Sequence, residues 1–201
     1  MKYTLAFACS QDGFIAKHSK DNPFEWTSKE DQNHLQTLIS ENEWQVMGRT
    51  THELNPNHNR KRIVFSRQSK KIELIKKDIP DQFYFNPDLH QWSDFEKICS
   101  GNVLILGGTR VHDFFIYADL VDTIHITIEP HTFNGGVRAF SYINFKDYKP
   151  YFLSRNYSYE EKTLNDNGSI LISFNIFVLL ISLLSVLIVT GKLRSIKSFI
   201  G

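Results

Sequence analysis

Several short stretches of this sequence carry residues that could hold a phosphate, and one helix carries a carboxylate on its apolar side. In Leu106-Gly107-Gly108-Thr109-Arg110-Val111 an apolar run breaks at two glycines and restarts at helical spacing. Glycine lets the backbone turn tightly and lets a ligand approach where no Cβ stands. A strand feeding a helix N-terminus then brings free N–H groups and the positive dipole end to one place. Gly48-Arg49-Thr50-Thr51 is a second such junction, with a cation and two hydroxyls suited to an anion. Ser66-Arg67, with Lys70 and Lys71 close behind, adds cations after the apolar run Ile63-Val64-Phe65. Asp31 lies four residues before Leu35, so helical spacing puts its carboxylate on the Leu35, Leu38 and Ile39 face. The plainer readings stay open: a tight turn that binds nothing, solvated lysines, and a first-turn Asp that only complements the helix dipole.

The elements that must position these residues follow from periodicity. Val103 to Leu106 reads as a strand buried on both faces, and Thr109 as the N-cap of a helix with Val111, Phe114, Phe115 and Ala118 on one side. Tyr3 to Cys9 is a first strand, closed by the turn residues Ser10-Gln11-Asp12-Gly13. Phe14-Ile15-Ala16 is a brief apolar return before a polar loop, Lys17 to Pro23, long enough to cover something. Thr27 or Ser28 caps the Asp31 helix, with Glu30 spaced to complete a capping box with Thr27. Trp44 to Met47 is a strand, and Asn55-Pro56-Asn57 closes the short helix after it. Ile72 to Asp88 yields only a short strand at Phe83-Tyr84-Phe85, and Ser93 caps a helix through Glu96 that Gly101 ends. Thr123 to Ile128 alternates as a strand should, and Gly135-Gly136 marks a turn or bulge. Tyr151-Phe152-Leu153 and Ser169 to Ile176 are expected to pair antiparallel around the turn Asn165 to Gly168. Strands and helices alternate early and strands dominate late, which predicts an α/β fold: a mostly parallel central sheet flanked by helices and closed by a C-terminal antiparallel hairpin.

Composition narrows the function classes. The 201 residues are 41% hydrophobic and 22% charged, as in an ordinary globular domain. Lys and Arg number 23 against 22 Asp and Glu, a net charge of +1 that makes no electrostatic case for a nucleic-acid partner. Cys9 and Cys99 belong to no CxxC pattern, which suggests a reduced, cytoplasmic setting, and the first residues lack the layout of a signal peptide. The eight histidines show no HExxH or HxH spacing, so no metal is expected.

Residues 1–176 are expected to form one domain and residues 177–201 an apolar tail. No residue from Ser169 to Gly191 is charged. If the last strand ends at Ile176, Phe177 to Thr190 would rise about 21 Å as a helix, short of the ~30 Å hydrocarbon core. Lys192, Arg194 and Lys197 would also lie on the side disfavoured for a cytoplasmic domain. A membrane anchor is placed first, ahead of an interfacial or partner-binding helix and a non-native extension.

Three pieces occur in order: Ser10-Gln11-Asp12-Gly13-Phe14-Ile15-Ala16, Val46-Met47-Gly48-Arg49-Thr50-Thr51, and Leu106-Gly107-Gly108-Thr109-Arg110-Val111. Each alone is unspecific. Together, over residues 2 to 176, they resemble the dihydrofolate-reductase-like superfamily, and within it the stand-alone form of the riboflavin-biosynthesis reductase domain. The resemblance implies NADPH lying across the carboxyl ends of the parallel strands. Ala8 and Ile15 match contacts to the nicotinamide end, Gly48, Arg49, Thr50 and Thr51 a phosphate-binding turn, and Ser66 and Arg67 the pair beside the adenosine 2′-phosphate. Gly107, Gly108, Thr109, Arg110 and Val111 match the second phosphate-binding turn.

On the substrate side the resemblance assigns Asp31 as the acid that meets the substrate ring, Trp26 five residues before it, Leu35 as an apolar wall, and Arg60 as the cation that holds an anionic tail. The stretch Asp12 to Ala16 is closer to the riboflavin branch, Thr27 to Glu30 replace the Pro and Leu of folate reductases, and Gly135-Gly136-Val137-Arg138 departs from their Gly-Asp-Thr. The expected activity is hydride transfer to a ribosylamino-pyrimidine by the reductase half alone, since no deaminase precedes residue 1. A pterin reductase is the runner-up, and a non-catalytic, membrane-tethered binding protein of the same fold is the alternative of another class. The implied partner is a small molecule of pyrimidine or pterin type, with membrane contact through the tail and a homodimer left open.

Overall fold

The structure, a computed structural model, describes residues 1–177, so all but Phe177 of the expected anchor or extension over residues 177–201 lies outside the described residues. Among those described, no helix is long and apolar enough to cross a membrane. The chain runs β1 (Tyr3–Ser10), β2 (Phe14–Ala16), α1 (Lys29–Glu41), β3 (Trp44–Gly48), α2 (Arg49–Leu54), β4 (Lys61–Phe65), β5 (Glu73–Lys76) and β6 (Ile79–Phe85). It continues as α3 (Trp92–Ile98), β7 (Val103–Gly107), α4 (Thr109–Tyr117), β8 (Thr123–Glu129), β9 (Val137–Arg138), α5 (Tyr148–Leu153), β10 (Tyr157–Thr163) and β11 (Ile170–Ile176). The large sheet has the order β10-β11-β8-β1-β7-β3-β4-β6-β5. From β8 to β6 all neighbours are parallel, and the antiparallel strands sit at the edges.

The expected architecture is present, and local corrections have physical causes. Tyr151-Phe152-Leu153 is helix, not strand: Tyr148 and Phe152 are buried four residues apart, a helical stripe that an apolar triplet disguises. The true partner of β11 is β10, whose side chains after Tyr157 are exposed, leaving almost no hydrophobic alternation to read. Ile72 to Asp88 holds two strands joined at Lys77-Asp78, and β6 begins at Ile79 rather than Phe83. Pro80 hides that start; it is tolerated beside a break in the β5–β6 register. Gln91, not Ser93, caps α3, in a capping box with Asp94. Gly108 caps α4, and the Thr109 hydroxyl donates instead to Arg138 O.

Alternation along the strands gives the sheet two unlike faces. Leu5, Val46, Ile63 and Ile105 point into a large aromatic core roofed by α3, α4 and α5. Ala6 and Leu104, on the other face, pack with Leu106 against Leu38, Leu35 and Ile39 of α1. Helix α1 and the short α2, whose His52 and C-cap Asn55 meet Arg62 of β4, leave part of that face uncovered, and the remainder becomes a cleft. Phe115 seats α4 on the opposite side, with ring centroids 5.9 Å from Tyr3, 5.6 Å from Trp92, 6.0 Å from Phe95 and 5.9 Å from Phe65. Replacing it with Ala opens a cavity at a fully buried site, with an expected loss of about 3–5 kcal/mol measured by urea unfolding.

Candidate functional site

The central strands β3 and β7 are neighbours that both end in glycine, with Met47 opposite Gly107. A Cβ on Gly48 would stand 3.9 Å from Gly107 O and from Gly108 N, so the two turns meet at the carboxyl edge of the sheet. Gly107 has φ +94°, and a Cβ there would lie 2.5 Å from His112 Nε2, so both conformation and space demand glycine. His112 is fully buried and packs 5.1 Å from Phe7 between ring centroids. Its Nδ1–H donates to Ala139 O at 3.0 Å, and burial lowers its pKa to about 4, so it braces the turn as a neutral ring. Gly108 has no side chain to satisfy the first-turn N–H groups of α4, an arrangement suited to an anion.

These turns open into a cleft of about 1440 Å³. Ala8, Ile15, Gly48, Arg49, Thr50, Thr51, Ser66, Arg67, Gly108, Thr109, Arg110 and Val111 all line it, and Gly107 lies just beneath. Arg49 is engaged at the rim: Nε is 3.1 Å from Glu53 Oε1, and Nη1 donates to Gln68 Oε1. Asn86 Nδ2 donates to Arg67 O and Ser69 O, fixing the loop that carries Ser66 and Arg67. The β1–β2 turn is fastened by Asp12, which accepts from Ser10 Oγ at 2.6 Å, Asn134 N at 2.7 Å and Phe133 N at 3.1 Å. Gly13, with φ +86°, lies where a Cβ would strike Phe145, and this seating sets Ile15 at the cleft wall.

The other end of the cleft is built on α1. Ser28, not Thr27, caps the helix: its Oγ accepts from Asp31 N at 3.3 Å, while Glu30 leaves the expected capping box and accepts from Asn165 Nδ2. Ser28 N and Oγ donate to Glu129 Oε1 at 2.8 and 2.7 Å, and Ser169 Oγ donates to Oε2 at 2.6 Å. Asp31 is 8% exposed on the cleft wall. Burial pushes its carboxyl pKa up to about 6 and the Glu129 charge adds to that, against hydrogen bonds from the Thr127 and Thr27 side chains. Leu35 and Arg60 also line the cleft. Trp26 does not; it packs edge-on against Phe133 at 5.0 Å.

Several participants are not singled out by motif. His125, Thr127 and Glu129 fall at alternate positions of β8, so a period of two already puts all three on the α1 face. Gln45, Arg62 and His112 line the cleft as buried polar residues within apolar elements, and only their neighbours reveal them. Among the described residues no group of three or more His, Cys, Asp or Glu side chains is placed to hold a metal ion.

A family model described as dihydrofolate reductase matches residues 2–169. Among solved structures, a Shewanella sp. PV-4 protein provisionally assigned to riboflavin biosynthesis aligns with TM-score 0.60 and 20% identity, over 89% of this chain and 100% of that one. The dihydrofolate reductase of Enterococcus faecalis, complexed with NADP(H) and RAB-propyl, aligns with TM-score 0.60 and 17% identity, over 87% of this chain and 95% of that one. None of the curated proteins matches.

The raised Asp31 pKa has a measurable consequence for stability. The folded protein holds this proton more tightly than the unfolded chain, so the contribution is full below about pH 4 and is lost as pH rises through about 6. Asp31→Asn removes that titration. The expected result is a variant that gains on the wild type as pH rises from about 4 to 7, read as the difference in Tm at each pH; a flat difference would mean a solvated carboxylate.

Proposed function

The chain belongs to the dihydrofolate reductase family, and from that premise we propose that it is an NADPH-dependent reductase of the riboflavin-pathway type, acting on a phosphoribosylamino-pyrimidine. The observation that carries this reading is the pairing, in one cleft, of two adjoining glycine turns with a buried, protonatable Asp31. NADPH fits the first feature: a dinucleotide's phosphates need backbone N–H groups at close approach, and the bare Gly48 and Gly108 surfaces leave that room. Arg49 and Arg67 at the rim suit a 2′-phosphate. When bound, NADPH supplies the hydride.

The chain's own residues then have definite tasks. Ile15 and the seated β1–β2 turn wall the nicotinamide end and limit water there. Leu35 and the α1 face orient the substrate ring against Asp31. In the overall change the bond from C1′ to the ring oxygen opens, C1′ gains the hydride, and the released oxygen gains a proton. Asp31, with a pKa near neutrality, can hold that proton on its carboxyl and be refilled from solvent. A pterin reductase is the second reading, favoured by the same Asp31, since a ring with N–H groups pairs well with a buried carboxylate. The buried thiols of Cys9 and Cys99 are both free, which supports a reducing, cytoplasmic setting.

Loss of the near-ultraviolet absorbance of the reduced nicotinamide, measured with ribosylamino-pyrimidine and pteridine substrates, tests the reading. NADPH is expected to bind more tightly than NADH, and Arg67→Ala to cut that preference about tenfold; equal affinity for both cofactors would reject the 2′-phosphate assignment. Asp31→Asn should keep NADPH binding while lowering kcat/KM by roughly 10²-fold or more, and unchanged turnover would remove Asp31 from the site.

A further inference from the structure

His34 and His125 stand ring against ring between α1 and β8, with centroids 5.0 Å apart and planes at 76°. His34 follows Asp31 by three residues on α1, which puts the two side chains next to each other on one helix face, about 5–6 Å apart at Cβ. His125 precedes Thr127 by two residues on β8, so it shares a sheet face with the residue whose side chain hydrogen-bonds Asp31. The pair therefore adjoins Asp31 from both elements that hold it. Both rings are half-buried and line the cleft, so they reach from the enclosed carboxyl towards water. Ser173, opposite His125 in the β8–β11 register, fixes one ring: its Oγ and His125 Nδ1 are 3.0 Å apart. His34 Nε2 is buried and has no partner among the described residues, which a ring tolerates best while it is uncharged.

The surroundings disfavour a positive charge on this pair. Burial does most of it; Lys162 of β10 adds to it at His34, the neighbouring ring and Lys2 before β1 add to it at His125, and only Glu41 at the end of α1 opposes it. His125 is thereby lowered to about 4 and His34 below the usual imidazole range, while the adjoining Asp31 is raised to about 6. Glu129, the other carboxylate on this face, is occupied by Ser28 and Ser169. Rings that hold a proton weakly beside a carboxyl that holds one tightly pass it inward, and a neutral imidazole does so by accepting at one nitrogen while releasing from the other. We propose that His34 and His125 form a proton relay that joins Asp31 to solvent along the seam between α1 and β8. This rests on the reductase reading, in which each turnover takes one proton from Asp31. Once the Asp31 O–H bond has broken toward the released oxygen, a ring N–H bond breaks toward the carboxylate through one bridging water. The other ring nitrogen takes a proton from solvent, so the pair ends with its charge unchanged. The histidines touch no reacting atom and act through Asp31.

The test begins with ring ¹⁵N NMR of the labelled full chain without ligand, titrated between about pH 5 and 8. The signals of His34 and His125, assigned with His34→Phe and His125→Phe, are expected to report a change of tautomer with its midpoint at the Asp31 value of about 6, without conversion to imidazolium. Asp31→Asn should abolish that step. Rings indifferent to pH in this range, a step that survives in Asp31→Asn, or plain protonation of the rings near neutrality overturns the relay. The second arm is NADPH oxidation with the ribosylamino-pyrimidine at about pH 8, where protons are scarce. There the double variant His34→Phe with His125→Phe, which keeps aromatic rings at both positions, should lose about tenfold in kcat with KM little changed, and added imidazole should restore the rate. No loss, or a loss that imidazole leaves in place, also overturns the relay. The two readings fail separately: turnover without the NMR step rejects only the relay, and the NMR step without turnover of pyrimidine or pteridine rejects only the reductase assignment.

Discussion

Glu129, 1% exposed, accepts from the Ser28 N–H, the Ser28 hydroxyl and the Ser169 hydroxyl, and a carboxylate so far from water is stable only while those donors stay in place. The donors come from the cap of α1 and the start of β11, so one side chain pins the helix to the sheet and to the late antiparallel strand. Ser28 uses its hydroxyl twice, donating to Glu129 and accepting from Asp31 N. The position of Asp31 over Thr127 and its proton affinity both follow. The helix entry places the carboxyl in the wall, and the nearby Glu129 charge raises its pKa further than burial alone.

The opposite end of the cleft is made of main chain. Two strands stop at glycines, one of them, Gly107, resting on the neutral ring of His112, and the open room lies over Gly48 and Gly108. Cations stand around this room, not in it. The Arg49–Glu53 pair is partly solvated and contributes little to stability, so a ligand phosphate could replace it at small cost. Rigidity comes from the far side of the sheet, where the aromatic cluster around Phe115 holds α4 and hence the turn before it.

Arg62 and Asp31 make an instructive contrast. Both are buried charges on the cleft wall, but Asp31 is offered hydrogen bonds and responds to its surroundings by binding a proton more tightly. An arginine has no such outlet, because its proton is held too strongly to be shed near neutral pH.

The pieces legible in the sequence are those in which local chemistry and tertiary need coincide. Val103 to Leu106 can only be an inner strand, Gly107-Gly108 can only be a turn, and the Asp31–Leu35 spacing already faces the carboxylate inward. The pieces read wrongly are those where local preference was overruled. Tyr151 to Leu153 looks like a strand until Tyr148 and Phe152 find the same core, β10 is too exposed to show a pattern, and Pro80 masks a strand whose paired edge tolerates it. The sequence by itself determined the strands and helices around β1, α1, β3, β7, α4 and β8, the two glycine turns and the place of Asp31 on the Leu35 face, because periods of 3.6 and 2 and the freedom of glycine act over a few residues. Only the tertiary structure decided that Glu129 anchors Ser28, that His112 braces Gly107, and that Gln45 stands beside Arg62. Those pairs are 101, 5 and 17 positions apart, and strand register and helix docking brought their atoms together where the sequence shows only isolated polar residues in apolar runs.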